Sequence, residues 1–461
     1  MKSIVFAGLA ATALASVEVP ARGRGGEVWK RLQQKKALEA DSTCETTFWD
    51  AQIDHSEGGD SEGTYKQRYF VDAKDYTEGG PIFLNIGGEG TASCPGGYVT
   101  TLAPEYGAMA VTLEHRFYGE SVPNGNADTE NLQYLTVENA LADLSTFTTW
   151  FQESRNMTEA KVFVFGGSYP GALASWYRMA YPDSSVGSLS SSGVVNPIVD
   201  FVTFDEKVAQ AAGNKCADSI RDTTAAFERT IASGNSGWDA SLDQFYCEKT
   251  MSENDFYYMT ADSFSMAVQY GHKTDLCAAL EAVPAGADDA TITQAFADFS
   301  NAYWGKDFCS MGFYDTSALA DPLRWDGNSR AWRWQTCYQV AWFNTAPKSG
   351  SLRSATVDLN YHLSQCKAIF GQGMFPKVNG LWQSFGGAYP TAHNTFYSDF
   401  SDDPWSPASV TYPVSSDQPY VYATADDLGH CSDLHAPTDN DSQALKNCRT
   451  EFEGYLAAWL D

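Results

Sequence analysis

Basic residues are scarce: 30 Lys and Arg stand against 58 Asp and Glu, a net charge of −28 over 461 residues. That deficit removes the attraction on which binding to nucleic acid or an anionic membrane depends. The ten cysteines contain no C-x-x-C pair, which argues against zinc and thioredoxin-like sites and for disulfides made in an oxidising compartment. H-E-x-x-H, a Walker loop and a well-placed G-x-G-x-x-G are all missing, so no metal and no cofactor is expected. Past the N-terminus no apolar run is long enough to span a bilayer. Internal repeats and low-complexity tracts are absent too. What is present, 43% hydrophobic and 14% aromatic residues, describes a folded globular chain with room for two or three domains.

The N-terminus is different in kind. Lys2 precedes the apolar IVFAGLAATALA, and Ala13-Leu14-Ala15 offers a small-residue cleavage site, so residues 1–15 read as a secretory signal peptide. Residues 16–40, which include ARGRGGEVWKR, read as a pro-segment or flexible lead-in. Passage through the secretory route gives weight to the sequons at Asn156 and Asn440. It points to a secreted, lysosomal or vacuolar destination.

Three short apolar runs, PIFLNI (81–86), AMAVTLEH (108–115) and KVFVF (161–165), read as buried strands. Between the last two, Val137, Ala140, Leu141, Leu144, Phe147 and Phe151 share one helical face behind a Thr136 N-cap. Hydrophobic strands alternating with a helix imply a parallel sheet covered on both faces. From about 200 to 385 the pattern turns helical, in ADSIRDTTAAFERTIAS, TITQAFADFSNAYW and RAWRWQTCYQVAWF, and six of the ten cysteines lie there. Strand-like TFYSDF and PYVYATA follow, and then a helix with Leu445, Cys448, Phe452, Leu456 and Trp459 on one stripe. The expected layout is an α/β domain (41–199 and 386–461) interrupted by a helical, disulfide-bearing insert (200–385).

KVFVFGGSYPGALASW (161–176) carries the chemistry. A serine between strand and helix, flanked by small residues, is a nucleophile elbow, usually G-x-S-x-G. Here Ser168 has Gly166, Gly167 and Gly171 around it, but Pro170 stands where the last glycine belongs. The oxyanion hole needs the N–H of Tyr169, which survives; Pro170 falls in the first turn of the helix, where a missing N–H is tolerated. A serine hydroxyl also needs a histidine base and an orienting acid, in the order Ser, acid, His. His430 follows the strand PYVYATA, with His435 as its neighbour and rival. Asp403 follows TFYSDF, with Asp402 and Asp399 as rivals. The loop after PIFLNI offers Gly88 as a second oxyanion donor, and Glu89 either partners a substrate amine or caps the next helix. Glu114 and His115 precede Ser168 and take structural roles.

Assembled, the chain resembles the S28 family of serine peptidases. The likeness runs through QRYFVDAKDYTEGGPIFLNIGGEG, LEHRFYGES, GGSYPGALASWYRMAYPD, WRWQTCYQVAWF, DDPWSPASV and GHCSDL. The family usually has G-G-S-Y-G-G at the elbow, so Pro170 is a departure. Its acid lies in D-P-W, which falls on Asp403 and not Asp402. Its base opens H-H-x-D-L, which falls on His430, with Cys431 in place of the second histidine. The resemblance implies an α/β-hydrolase fold with a helical cap, a pocket wall at Trp405, and cleavage beside proline near the end of small peptides. It leaves open which end is accepted and whether the chain forms a homodimer. An esterase or lipase on the same fold, or an inactive binding relative, are the competing expectations.

Overall fold

The computed structural model describes residues 44–461 apart from 310–311, 323–327 and 413–414. The expected signal peptide and lead-in lie outside the described residues. Eight strands form one sheet: β1 Glu45–Gln52, β2 Thr64–Asp72, β3 Ile82–Ile86, β4 Met109–Leu113, β5 Val162–Gly167, β6 Gly187–Ser191, β7 Thr395–Phe400 and β8 Tyr420–Ala423. Their spatial order is β1-β2-β4-β3-β5-β6-β7-β8. β1–β2 and β2–β4 pair antiparallel and every later pair is parallel. This is the α/β-hydrolase sheet.

Side chains on a strand alternate between faces, and here both faces are buried. Ile82, Leu84, Val162 and Val164 point into one apolar cluster, while Phe83, Phe163 and Phe165 point into another. Helix α1 (Tyr98–Tyr106) packs into the phenylalanine cluster. Helices α2 (Val137–Ser154) and α3 (Tyr169–Ala180) cover the opposite face. The Thr136 hydroxyl caps α2 by accepting from the Asn139 N–H, and all six residues of the expected face are buried.

Between β6 and β7 the chain is helical among the described residues, from α4 (Val202–Ala212) and α5 (Asn214–Ala232) through α6 (Glu253–Gln269) and α7 (Asp289–Trp304) to α8 (Asn328–Gln335). The run RAWRWQTCYQVAWF does not stay helical to its end. After α8 the Ala341 N–H reaches back five residues to the Thr336 carbonyl at 3.1 Å, and Ala341 and Trp342 then take positive φ. The Trp342 indole donates to the Asn196 carbonyl at 3.0 Å, and Phe343 bridges to Asp200, so tertiary contacts end the helix. Disulfides Cys216–Cys277, Cys247–Cys309 and Cys337–Cys366 tie the helical region, and Cys44–Cys94 fastens the start of β1. Eight of the ten cysteines therefore pair, whereas Cys431 and Cys448 are free. The last helix, α9 (Gln443–Leu460), buries Leu445, Cys448, Phe452 and Leu456 against the phenylalanine face. Among the described residues no helix is long and apolar enough to cross a membrane.

Candidate active site

The C-terminal ends of β5, β7 and β8 converge on one place. Ser168 leaves β5 with φ 63° and ψ −128°, a left-handed backbone that only surrounding structure holds in a non-glycine residue. Its N–H donates to the Ser191 carbonyl at 2.9 Å, and its carbonyl accepts from Ala172 at 3.0 Å as α3 begins. The glycines beside it are required by close approach. A Cβ on Gly166 would collide with the Pro170 carbonyl, and one on Gly167 would fall 2.9 Å from Cys431 Sγ. Pro170 sits in the first turn of α3, and its ring faces Gly88, where a Cβ would lie 3.0 Å from the proline Cγ. The departure at 170 is thus absorbed by a glycine on the neighbouring loop.

The loops after β7 and β8 supply an acid–imidazole pair. Asp403 is fully buried, and its carboxylate oxygens both lie 2.9 Å from His430 Nδ1. The same carboxylate accepts from the Trp405 N–H at 2.9 Å. Because a carboxylate only accepts, Nδ1 carries the proton and Nε2 faces away from the acid. Burial opposes charge on this imidazole, but the Asp403 carboxylate, with Cys431 behind it, outweighs burial and holds His430 well above the usual histidine range. His430 Nε2 is buried and has no hydrogen-bond partner, the Ser168 hydroxyl included. Contact of Gly167 with Cys431 nevertheless sets the serine and histidine loops side by side.

The rivals have other occupations. His435 is exposed and its carbonyl accepts from Arg449. Asp402 pairs with Lys273 at 2.9 Å. Asp399 lies buried beneath the site, where burial and then the nearby Asp403 charge push its carboxyl well up. Glu114 binds Arg68 at 2.6 Å. His115 is driven down to about 4 by burial; its Nδ1–H donates to the Arg116 carbonyl, so its Nε2 accepts from the Tyr169 hydroxyl at 3.1 Å. Asn156 and Asn440 are both exposed.

Among the described residues, neither the Tyr169 N–H nor the Gly88 N–H is spent on a protein acceptor. Glu89, next to Gly88, keeps Oε2 shielded from solvent and unpartnered. Trp405 stands against Phe204 and Phe201, with ring centroids 4.9 and 5.8 Å away, and 6.3 Å from His430. No cluster of three or more His, Cys, Asp and Glu placed to hold a metal ion occurs among the described residues.

Three residues escaped the sequence reading. Gln269, at the end of α6, accepts the His430 N–H on its carbonyl at 2.7 Å and the Trp405 indole N–H on its side chain at 3.0 Å. Gln335 of α8 donates to the Tyr169 hydroxyl at 2.8 Å. Asp433 accepts from Ser398 at 2.5 Å and from Ser191, fastening the histidine loop to β6 and β7. Gln335 and Asp433 fall inside quoted motifs, WRWQTCYQVAWF and GHCSDL; Gln269 carries no signal in its local sequence.

An elbow serine and an acid–histidine pair at the end of an α/β-hydrolase sheet define a serine hydrolase. The chain belongs to the serine carboxypeptidase S28 family, whose model matches residues 51–452. It is 32% identical over 406 residues to the probable serine protease EDA2 of Arabidopsis thaliana, covering 85% of this chain and 81% of that one. It is 27% identical over 433 residues to the thymus-specific serine protease of Homo sapiens (86% and 83%). With the lysosomal Pro-X carboxypeptidase of Mus musculus it shares 27% over 450 residues (90% and 88%).

Proposed function

We propose that this protein is a serine exopeptidase that cleaves small peptides beside proline, with Ser168 as nucleophile, His430 as base and Asp403 as orienting acid. The observation that carries the reading is the Asp403–His430 bond at 2.9 Å on a loop packed against the serine elbow. Ser168 Oγ attacks the scissile carbonyl and passes its proton to His430 Nε2, while Asp403 fixes the tautomer from the Nδ1 side. The Tyr169 and Gly88 N–H groups, at the positive end of α3, receive the oxyanion. His430 returns the proton to the departing amine, and water then hydrolyses the acyl-enzyme by the same steps in reverse. Catalytic hydrogen bonds often close only around substrate, which accommodates the open Nε2.

Trp405, Phe201 and Phe204 form an apolar wall suited to a pyrrolidine ring. Gln269 and Gln335 bring the helical region onto the catalytic loops, which favours a chain end over a folded protein as substrate. Paired cysteines, exposed sequon asparagines, and likeness to extracellular and lysosomal relatives support secretion or a lysosome-like destination, with Asn156 and Asn440 glycosylated. A fluorophosphonate probe is expected to label Ser168. Ala-Pro-X or Z-Pro-X peptides near pH 5 are expected to be hydrolysed in preference to a p-nitrophenyl ester. No labelling would end the serine-hydrolase reading, and ester preference would end the peptidase one.

A further inference from the structure

Three acids are buried together behind the catalytic imidazole, and they differ in what they receive. Asp403 accepts the His430 Nδ1–H and the Trp405 N–H, each at 2.9 Å. Asp433 accepts the Ser398 hydroxyl at 2.5 Å and that of Ser191. Asp399, on β7 four residues before Asp403, is 1% exposed, and its Oδ1 has no hydrogen-bond partner. Among the described residues no Lys, Arg or His forms an ion pair with it. A carboxylate is favoured by N–H and O–H donors and disfavoured by burial and by like charge. Of three neighbouring buried acids, the one that lacks donors is therefore the one that keeps its proton.

The groups around Asp399 offer little to neutralise a charge there. From the segment after β7, the Asp403 carboxylate repels it, and the Ser409 hydroxyl, itself buried without a partner, eases its ionisation only in part. From β8 comes Tyr420, whose phenol is held protonated by burial and then by Asp399. From the histidine loop come His430, already committed to Asp403, and Asp433, a further negative charge. From α9 come the Cys448 thiol, pushed up by burial first and by Asp433 and Asp399 among the nearby charges, and Arg449. Arg449 is spent on the carbonyls of Ser432, Asp433 and His435 and on the Asp441 carboxylate.

Loss of the Asp399 proton to solvent sets a second, unpaired charge behind Asp403 in a packed interior. Such a charge is costly until water reaches it. The segment that must part is the one that carries Asp403, which is wound tightly by turns from Phe400 to Asp403, Asp403 to Ser406 and Ser406 to Ser409. We propose that Asp399 is a positioning residue that works only as the neutral acid. While it holds its proton the Asp403 segment stays closed on His430; when the proton leaves, the segment opens, His430 loses its orienting acid, and catalysis stops. The fold thereby confines the enzyme to acidic surroundings. The proposal rests on the triad of the proposed function and adds a fourth, uncharged member behind it.

The test follows the rate of fluorophosphonate labelling at Ser168 against pH in the full-length protein, a readout that does not depend on which peptide is cut. Labelling of the unaltered protein should fall reversibly with rising pH, within roughly pH 7–9, where fully buried carboxyls titrate. Asp399→Asn should label readily at acid pH, because a side-chain amide is isosteric with a neutral carboxyl. It should keep labelling where the unaltered protein has lost it, by about tenfold one pH unit past the midpoint. Ser409→Ala removes the hydroxyl that eases ionisation and should move the loss to higher pH by about half a unit to one. The folded chain keeps a proton that the unfolded chain gives up above about pH 4, so its melting temperature should fall with rising pH more steeply than that of Asp399→Asn. An alkaline loss unmoved in Asp399→Asn, or folded Asp399→Asn that fails to label at acid pH, would overturn the proposal. If Asp399→Asn does not fold, Ser409→Ala decides, and an unmoved loss there overturns it. Absence of labelling in the unaltered protein at every pH would remove the serine-hydrolase reading and this proposal with it.

Discussion

The sheet and the helical region are held together by different means. In the sheet, ladder hydrogen bonds fix the backbone from which Ser168, Asp403 and His430 project, and one disulfide, Cys44–Cys94, serves its edge. The helical region uses three disulfides and an interior in which Arg333, Arg353, Asn344, His362 and Gln365 all keep buried atoms unpartnered. Around the C-terminal ends of the sheet strands, Glu89 Oε2, Asp399 Oδ1, Asp402 Oδ2, Ser409 Oγ and His430 Nε2 are likewise buried without a hydrogen bond. Under the proposed function the sheet loops carry the chemistry and the helical region governs access, with Gln269 and Gln335 at the seam.

If that division holds, substitutions in the sheet loops should cost rate and those in the helices should cost or gain stability. Asp403→Asn should produce the largest effect, a fall in kcat of about 10⁴-fold with little change in melting temperature. Asp403 is what lifts His430, so its loss lowers the imidazole pKa and moves the acid limb of the kcat/KM profile to lower pH. An unmoved limb would show that another base is titrating.

Next comes the elbow. Tyr169→Pro should be slower than Tyr169→Ala by about 10²–10³-fold, because both lose the ring but only the first loses the oxyanion N–H. Pro170→Gly should keep most activity, since Gly88 already accommodates the ring. Equal losses at 169 and 170 would overturn this view of the turn.

In the helices, burial pushes the Asp262 carboxyl up to about 6, against the weaker pull of Arg353, the Tyr314 hydroxyl and Arg333. The folded state therefore binds more protons than the unfolded chain between about pH 4 and 6, and stability falls as pH rises through that window. Asp262→Asn should escape the loss: equal to the natural protein near pH 4 and more stable by about 2–3 kcal/mol at neutral pH, read from denaturant melts, with kcat unchanged. The smallest effect belongs to the seam, where Gln269→Ala releases the Trp405 indole and should raise KM about tenfold or less. A large kcat effect there would erase the division.

Much of the sheet was legible because buried parallel strands are continuous apolar runs, as in β3, β4 and β5. β6 was not, being GSLSS, yet all five residues are buried. Its serines are satisfied one by one, Ser188 by Thr395 at 3.0 Å, Ser190 by the Gly171 carbonyl at 2.8 Å and Ser191 by Asp433. A strand whose polar groups find partners only in three dimensions leaves no hydrophobic signature. Gln269 is hidden for the same reason, since its carbonyl matters only once α6 ends against the histidine loop.

By itself the chain determined the strand and helix periodicities, the crowded glycines of the elbow, and the order Ser, Asp, His, because each is written in neighbouring residues or along the thread. Tertiary structure alone decided which eight cysteines pair, that His430 Nδ1 lies 2.9 Å from the Asp403 carboxylate, and that the Gln269 carbonyl seats the histidine loop. Those are distances between positions tens to hundreds of residues apart, and the sheet order sets them when its crossovers bring the ends of β3, β5, β7 and β8 to one edge.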